Sequence, residues 1–530
     1  MATSVEPLGR HGVLAVAGAI IFTVTLFLVG IGAAPVLDRD ESAYAEAARE
    51  MSARGDWIAT WLNGKLWFDK PPLVYWAEMA SYSAFGVSET AARFPSALFG
   101  VAGVLAVCWA GRRLRNLRTG ILAGFVLATS VLYLGLARAA LLDVPFTACC
   151  ALALGAMIAG TQEPERARWP LWAGAALGLA VLAKSPSACA LFALVLLAVG
   201  ITQRSRPCLR GLRWGYAALV CVAVVAPWYA AMYLRFGQQV LSQLLIGANV
   251  GRFMQAEHAR SATPIYYLPV IIVGLLPWTG MLPRGLSAAW RDRRAAAVPL
   301  WWAVLTFLFF SASGSKLPGY ILPIFPALAL LIAFALERGV ADPFDNKSLV
   351  GVYWASGVTF IIAGIFFAYA LARAAEYLSA AALLACLGLL PLSVALWAKK
   401  RAGLAVVWAS AFALCAAAIL GYWLVPSWAR GYSAKRIGLR IRSDHPRRIY
   451  LVNMSVLDVP SVLFYSRRSV ISVSEPPQAP AVQPGDAFII RVDRTPRWFA
   501  ATGLRRVASA GRLRLLVAPA EVQPSVKRAE

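Results

Sequence analysis

The sequence predicts a polytopic α-helical membrane protein: a bundle of about thirteen transmembrane helices followed by a small C-terminal α/β domain outside the membrane. Three observations carry this reading. Of 530 residues, 59% are apolar and 15% charged, too apolar for an ordinary soluble enzyme. Apolar runs long enough for a spanning helix follow one another almost without interruption, joined by short basic loops. Beyond residue 428 the composition changes to short β-prone stretches separated by Pro, Gly, Asp and Arg. The same figures exclude other classes, because disorder needs low hydrophobicity, collagen a glycine period and a disulfide scaffold dense cysteine. The eight cysteines lie in apolar stretches or, for Cys208, in a basic loop, and imply no disulfide framework.

In chain order the spans run near 13–34, 92–111, 119–136, 139–160, 170–183, 186–202, 214–234, 264–283, 297–312, 319–338, 349–371, 378–397 and 403–425. The first has an apolar run of about 22 residues, longer than the core of a signal peptide, and reads as a signal anchor. The fifth and sixth are short for a full crossing and read equally as one re-entrant pair. Charge assigns the sides. One alternate set of loops holds 19 basic and six acidic residues, the other 12 basic and 11 acidic. Lys and Arg favour the cytoplasm, so the second set, including 35–91 and 235–263, faces the exterior. The net charge of +25 is then loop charge, and no nucleic-acid partner is expected. Two domains follow: 1–427 in the membrane, and 428–530 as a soluble exterior domain in which 448–452, 462–465, 487–490 and 513–517 are β-prone.

Loop 35–91 is long enough to need its own structure. A helix is expected from Asp40, as its N-cap, to near Gly55, with Glu41 in the favourable field of the helix dipole. Its residues 44, 47, 48 and 51 recur at helical spacing, which makes it amphipathic and suited to lie along the membrane surface. A second helix begins at Pro71-Pro72, with Tyr75 and Trp76 as interfacial side chains. From spacing alone, Asp40 and Glu41 serve as helix caps or as site carboxylates, and Lys70 as a headgroup lysine or a phosphate ligand.

Further polar groups appear at span edges on the same side. Asp143 falls about four residues inside the fourth span, where a carboxylate costs at least about 2.5 kcal/mol unless paired or wetted. Arg138 is its nearest partner in sequence. Lys184 lies in the turn between two apolar halves, and Lys316 and Tyr320 lie in the segment 313–323. Carboxylates, lysines and tyrosines gathered at one membrane surface suit a substrate that is both lipid and phosphate. Lys70, Lys316, Arg252 and Arg260 would neutralise a phosphate leaving group, and Asp40 would orient or deprotonate an acceptor. Ion transport would instead distribute charge through helix centres, and a nucleotide-driven pump would need a P-loop, which is missing. With no H-E-x-x-H or C-x-x-C pattern, the sequence requires no cofactor.

The runs 40–46, 55–57 and 68–76, followed by 138–145 and 315–323, resemble the bacterial aminoarabinose transferases, within the wider protein-mannosyltransferase-like group of GT-C membrane glycosyltransferases. The resemblance covers about residues 30–340. It implies a GT-C fold of thirteen helices, a polyprenyl-phosphate sugar donor, and lipid A or another envelope glycolipid as acceptor, at the periplasmic side of the bacterial inner membrane. It also implies Asp40, with Glu41 beside it and Asp143 as a second acid, as the catalytic set, and Lys70, Arg252 and Tyr320, joined by Lys316, as donor-phosphate contacts. Transfer from such a donor is inverting, by in-line displacement of the lipid phosphate. Two departures stand out: Ala248-Asn249 replace the family's Glu-His, and Asp69 stands where it has Glu. They count against aminoarabinose as the sugar and against a divalent metal, for which Asp69 and His258 remain as ligands or supports. The alternatives are a protein hydroxyl acceptor with the same donor, a lipid-linked sugar transporter without chemistry, and an envelope scaffold, which leaves the Asp40 and Lys70 loop unexplained.

Overall fold

The computed structural model describes residues 10–203, 212–244, 263–276, 278–341, 433–473, 483–495 and 504–519, with 247, 251 and 429 besides. The spans expected at 349–371, 378–397 and 403–425 lie outside the described residues. The helices of the N-terminal half are α1 (Arg10–Leu28), α2 (Asp40–Arg54), α3 (Leu73–Phe85), α4 (Glu89–Leu114), α5 (Leu117–Thr129), α6 (Val131–Ala137), α7 (Asp143–Gln162), α8 (Arg168–Ala183), α9 (Ser187–Gln203) and α10 (Leu212–Phe236). They continue as α11 (Gln238–Ser242), α12 (Tyr267–Gly274), α13 (Leu282–Arg291), α14 (Ala297–Ala312), α15 (Phe325–Ala341), α16 (Lys435–Asp444) and α17 (Ser461–Ser466). The strands are β1 (Trp61–Leu62), β2 (Lys65–Leu66), β3 (Ile449–Val452), β4 (Ile471–Val473), β5 (Ala487–Arg491), β6 (Arg505–Ala510) and β7 (Leu513–Val517).

The chain divides into two compact units, one of Met1–Ile31, Phe68–Val74 and Arg93–Leu420, the other of Gly32–Trp67, Tyr75–Ala92 and Gly421–Glu530. Among the described residues four helices are long and apolar enough to cross a membrane: Glu89–Leu114, Asp143–Gln162, Arg213–Phe236 and Pro318–Glu337. The span expected at 119–136 is instead bent by 69° between α5 and α6. Ser130 stands at the break and its hydroxyl donates back to the Val126 carbonyl at 2.6 Å, a local bond that competes with the helical ladder. The run expected at 264–283 is likewise divided, into α12 and α13. Small residues let the first unit's helices approach: a methyl on Gly178 of α8 would sit 2.7 Å from Val224 Cβ of α10, and one on Gly111 of α4 would sit 2.8 Å from Gly120 Cα of α5.

The second unit is built on a five-stranded sheet of order β4-β3-β5-β7-β6. β3 runs parallel to β4 and β5, while β7 pairs antiparallel with β5 and β6. One face packs Ile449, Leu451, Ile489 and Leu515 against Ile437 and Ile441 of α16 and Val462 and Leu463 of α17, and the same cluster takes in Ala43 and Leu62. The other face stacks Tyr450 on Phe488 with ring centroids 5.1 Å apart. Of the β-prone stretches, 462–465 is not a strand but the body of α17. Pro460 precedes it with a backbone angle already helical, and all six residues of the helix are buried, so packing overrides strand propensity.

Candidate active site

The polar cluster of the first unit is built from helix ends. Asp143, expected inside the fourth span, is the first residue of α7, where the positive end of the helix dipole favours a carboxylate. Lys184 is the C-cap of α8, where the negative end favours an ammonium. Their side chains meet at 2.6 Å from Nζ to Oδ1, each 14% exposed. The same ammonium lies 4.5 Å from the ring centroid of Tyr320 and 5.8 Å from that of Phe146, in cation–π range. Tyr320 is carried by a 3₁₀ turn, Pro318–Ile324, that starts on a proline. Its neighbour Gly319 leaves room for the carboxylate, since a methyl there would lie 2.7 Å from Asp143 Cγ.

Two expected partners are placed differently. Arg138 does not hold Asp143: its guanidinium donates to the carbonyls of Leu26 at 2.8 Å, Phe27 at 3.3 Å and Val29, at the C-terminal end of α1. A cation there meets the carbonyls that a helix end leaves unsatisfied. Lys316 is 3% exposed and donates to the Ser313 carbonyl, so it braces its own loop. Asp69 and Lys70 stand together in the first unit, Oδ1 to Nζ at 4.0 Å, beside Phe68, whose ring contacts Phe236 at 5.2 Å. Arg252, Arg260 and His258 lie outside the described residues. Among the described residues no three His, Cys, Asp or Glu gather as metal ligands, and Asp69 faces an ammonium, so no step is routed through a metal.

Asp40 and Glu41 belong to the second unit. Arg39, not Asp40, occupies the N-cap of α2; Asp40 is its first helical residue and is exposed. Glu41 is buried and accepts the backbone N–H of Leu37 at 2.8 Å, tying the chain back onto the helix start. α2 is not a one-faced helix along a surface: Glu41 through Ala48, with Glu50 and Met51, are all buried. Its buried acids, Glu41, Glu46 and Glu50, are hydrogen-bonded, whereas Asp40 is exposed. Glu46 takes both N–H groups of Arg49 at 2.7 Å, and burial still pushes its carboxyl up to about 7. Glu50 accepts the N–H groups of Asn63 at 2.6 Å and Gly64 at 2.9 Å, the turn of the β1–β2 hairpin.

Three groups that shape the second unit were overlooked in the sequence. Asp38 accepts the N–H and hydroxyl of Ser461 at 2.8 and 2.9 Å, and enclosure pushes its carboxyl up to about 6 against those bonds. No local signal pointed to it. Asn63-Gly64 is a two-residue hairpin signal, and both residues take the positive φ that such a turn requires. Glu78 is fully buried on α3, and neither carboxyl oxygen has a hydrogen-bond partner among the described residues. Burial, with the charge of Glu41 nearby, holds its carboxyl well above the usual range. Its mark in the sequence was a glutamate inside the otherwise uncharged helix 73–85.

Comparison with known proteins follows the same lines. Residues 69–230 match the family model for dolichyl-phosphate-mannose-protein mannosyltransferase. An undecaprenyl phosphate-alpha-4-amino-4-deoxy-L-arabinose arabinosyl transferase of Aeromonas salmonicida (strain A449) is 34% identical over 322 residues, 59% of this chain and 58% of the relative. Its namesake in Edwardsiella ictaluri (strain 93-146) is 33% identical over 340 residues, 60% of this chain and 59% of the relative. The chain thus matches less than two thirds of either relative's length. Crystalline ArnT from Cupriavidus metallidurans bound to undecaprenyl phosphate superposes with a TM-score of 0.79 at 26% identity, covering 95% of this chain and 97% of that one. The apo oligosaccharyltransferase of Archaeoglobus fulgidus, at 13% identity and a TM-score of 0.54 over 89% of this chain and 65% of its own, shares the fold alone. In sequence and in fold, the chain resembles the aminoarabinose transferase and protein-mannosyltransferase-like group of GT-C membrane glycosyltransferases.

Proposed function

We propose that the chain is an integral-membrane glycosyltransferase that moves a sugar from a polyprenyl-phosphate donor to lipid A or another envelope glycolipid at the periplasmic face of the bacterial inner membrane. The observation that carries this reading is the likeness, over 95% of the chain, to a transferase structure that holds undecaprenyl phosphate. The thirteen-span count and the exterior placement of residues 428–530 belong to the same proposal. In the reaction, an oxygen of the acceptor attacks the anomeric carbon in line with the bond to the carrier phosphate. That bond breaks, its electron pair leaves on the lipid phosphate, and the new glycosidic bond has inverted configuration. The leaving phosphate gains negative charge, so Lys70, Arg252 and Tyr320 are assigned to it, while Lys316 holds the loop that carries Tyr320. Asp40, exposed at the start of α2, is assigned to the acceptor with Glu41 fixing its helix start. A phosphate acceptor needs little deprotonation, so Asp40 then positions more than it takes a proton. Asp143 holds Lys184 and Tyr320 in register.

The match to the mannosyltransferase family model favours a second reading, in which a protein hydroxyl is the acceptor and Asp40 is a true general base. Transfer assays in membrane vesicles with lipid-linked sugars test both: Asp40→Asn and Lys70→Ala should each lose transfer. Wild-type rates in both would overturn the assigned roles. Mass spectrometry of glycolipids and proteins from deletion and wild-type strains identifies the acceptor.

A further inference from the structure

In the first unit α8 packs against both α9 and α10. Gly178 makes the α8–α10 crossing close, since a methyl there would lie 3.2 Å from the Cys221 carbonyl. Cys221 is thereby held at the crossing. Cys189 stands in the first turn of α9, its N–H bonded to the Pro186 carbonyl at 3.0 Å. Their sulfurs are 3.7 Å apart, and both thiols are free and partly exposed. As a packing contact this pair has little value, because an S–H···S interaction is weak and a small aliphatic side chain fills the same space. A disulfide needs about 2.05 Å, so closing the gap requires an approach of under about 2 Å, within reach of side-chain rotation.

We propose that Cys189 and Cys221 form a dithiol modification site that a lipid-soluble two-electron oxidant, a fully substituted quinone, closes into a disulfide between α9 and α10. The balance is complete: each thiol gives up one proton and one electron, the S–S bond forms, and the quinone takes two electrons and two protons to become the quinol. Full substitution of the ring prevents addition of a thiol to it. The site adjoins the polar cluster. Lys184 precedes Cys189 by five residues across the α8–α9 turn. Cross-linking pins the first turn of α9 and restricts the turn that aims Lys184 at Asp143.

The test uses the full chain in membrane vesicles treated with a short-chain, fully substituted benzoquinone, then denatured and alkylated with a mass-tagged maleimide. The complement of eight thiols should fall by two, return with dithiothreitol, and map by peptide mass spectrometry to Cys189 and Cys221. The loss should vanish in Cys189→Ser and in Cys221→Ser and persist in Cys150→Ser. Eight reactive thiols after oxidation, or a disulfide that maps to another pair, overturns the site. The consequence for activity rests on the function proposed above: transfer should slow on oxidation and recover with reductant in wild type, and stay constant in Cys221→Ser. A cross-link with unchanged transfer overturns the control of Lys184, whereas a cross-linking chain that transfers no sugar in either state fails the functional reading alone.

Discussion

Replacing Gly319 by alanine tests whether the Asp143–Lys184 pair matters through its geometry. The new methyl would lie 2.7 Å from Cγ and Oδ1 of Asp143 and 3.0 Å from Oδ2. Ordinary carbon–oxygen contact is about 3.4 Å, so the carboxyl must retreat by about 0.7 Å or turn away. Either movement stretches the 2.6 Å Nζ–Oδ1 bond to or beyond about 3.2 Å, the limit of a good hydrogen bond. Both side chains are only 14% exposed, so water restores little of what is lost. A charge-assisted bond of this kind contributes about 1.5–3 kcal/mol. If it positions the transition state, kcat/KM for transfer falls about 10- to 150-fold. Global stability should fall by about 0.5–2.6 kcal/mol, because alanine also lowers unfolded-state entropy by about 0.4–1 kcal/mol and so offsets part of the lost bond. The assay is sugar transfer in proteoliposomes alongside a thermal melt, repeated in an Asp143→Ala background where the methyl meets no carboxyl. Wild-type transfer by Gly319→Ala, or an equal loss in both backgrounds, refutes the reasoning.

Three more predictions concern the second unit. Glu46 has its carboxyl raised from 4.5 to about 7, so its charged form is disfavoured by folding: the penalty is absent below about pH 4.5, grows between 4.5 and 7, and is complete above, reaching about 3 kcal/mol. Melting measured from pH 4 to 8 should show stability falling across that window, and Glu46→Gln should flatten the profile; an unchanged slope in the variant removes Glu46 as its source. Asn63 donates to and accepts from the backbone of Val470 at 2.9 and 2.8 Å, so Asn63→Ala should cost about 1–3 kcal/mol of unfolding free energy, with faster amide exchange at Val470; protection equal to wild type there contradicts it. Glu78→Gln, a neutral group of the same shape, should lower stability by less than about 1 kcal/mol, while Glu78→Ala costs about 2 kcal/mol or more; equal losses would mean that Glu78 is ionised and paired.

The fold was legible where composition alone decides structure. The runs that became α4, α7, α10 and α14 each hold a long apolar stretch with charge only near the helix ends, and no tertiary contact is needed to make them helices. The reading failed where a single polar group redirects the backbone. Ser130 breaks the run at 119–136 through a bond to its own preceding turn, which hydropathy averages away. Val462-Leu463-Phe464-Tyr465 looks like a strand, but its helix begins at Ser461, whose N–H is bonded by the carboxylate of Asp38, 423 residues earlier. That carboxylate supplies the acceptor a helix start lacks, and no local window contains both partners. Part of the burial of α2 has the same origin, since Ala43 packs in a cluster whose other members, Leu62 apart, come from beyond residue 433. Of the candidate site, the residue types were readable and their pairing was not: Asp143 lies five residues from Arg138 and 41 from Lys184, and only the packing of α7 on α8 chooses between them.

That choice follows from where a membrane helix tolerates charge. Asp143 opens α7, Lys184 closes α8 and Arg138 faces the end of α1, so each charge in this part of the first unit sits at a helix terminus of the sign that stabilises it. Four residues deeper in α7 the same carboxylate would carry a penalty of about 2.5 kcal/mol or more, and it would meet no unsatisfied N–H groups to offset it. Helix termini are also where apolar spans reach the polar boundary, the depth at which a lipid-borne phosphate resides. The polar cluster and the phosphate of a polyprenyl carrier are therefore drawn to one level by a common cause, the cost of burying charge in hydrocarbon. In the proposed reaction, helix boundaries select the position of the site, and loops such as Ser313–Tyr320 only trim it. Moving a boundary should then be worse than changing a loop side chain: shifting the α7 start by one residue turns Asp143 by about 100° around the helix, away from Lys184, whereas Ser315→Ala leaves the pair in place.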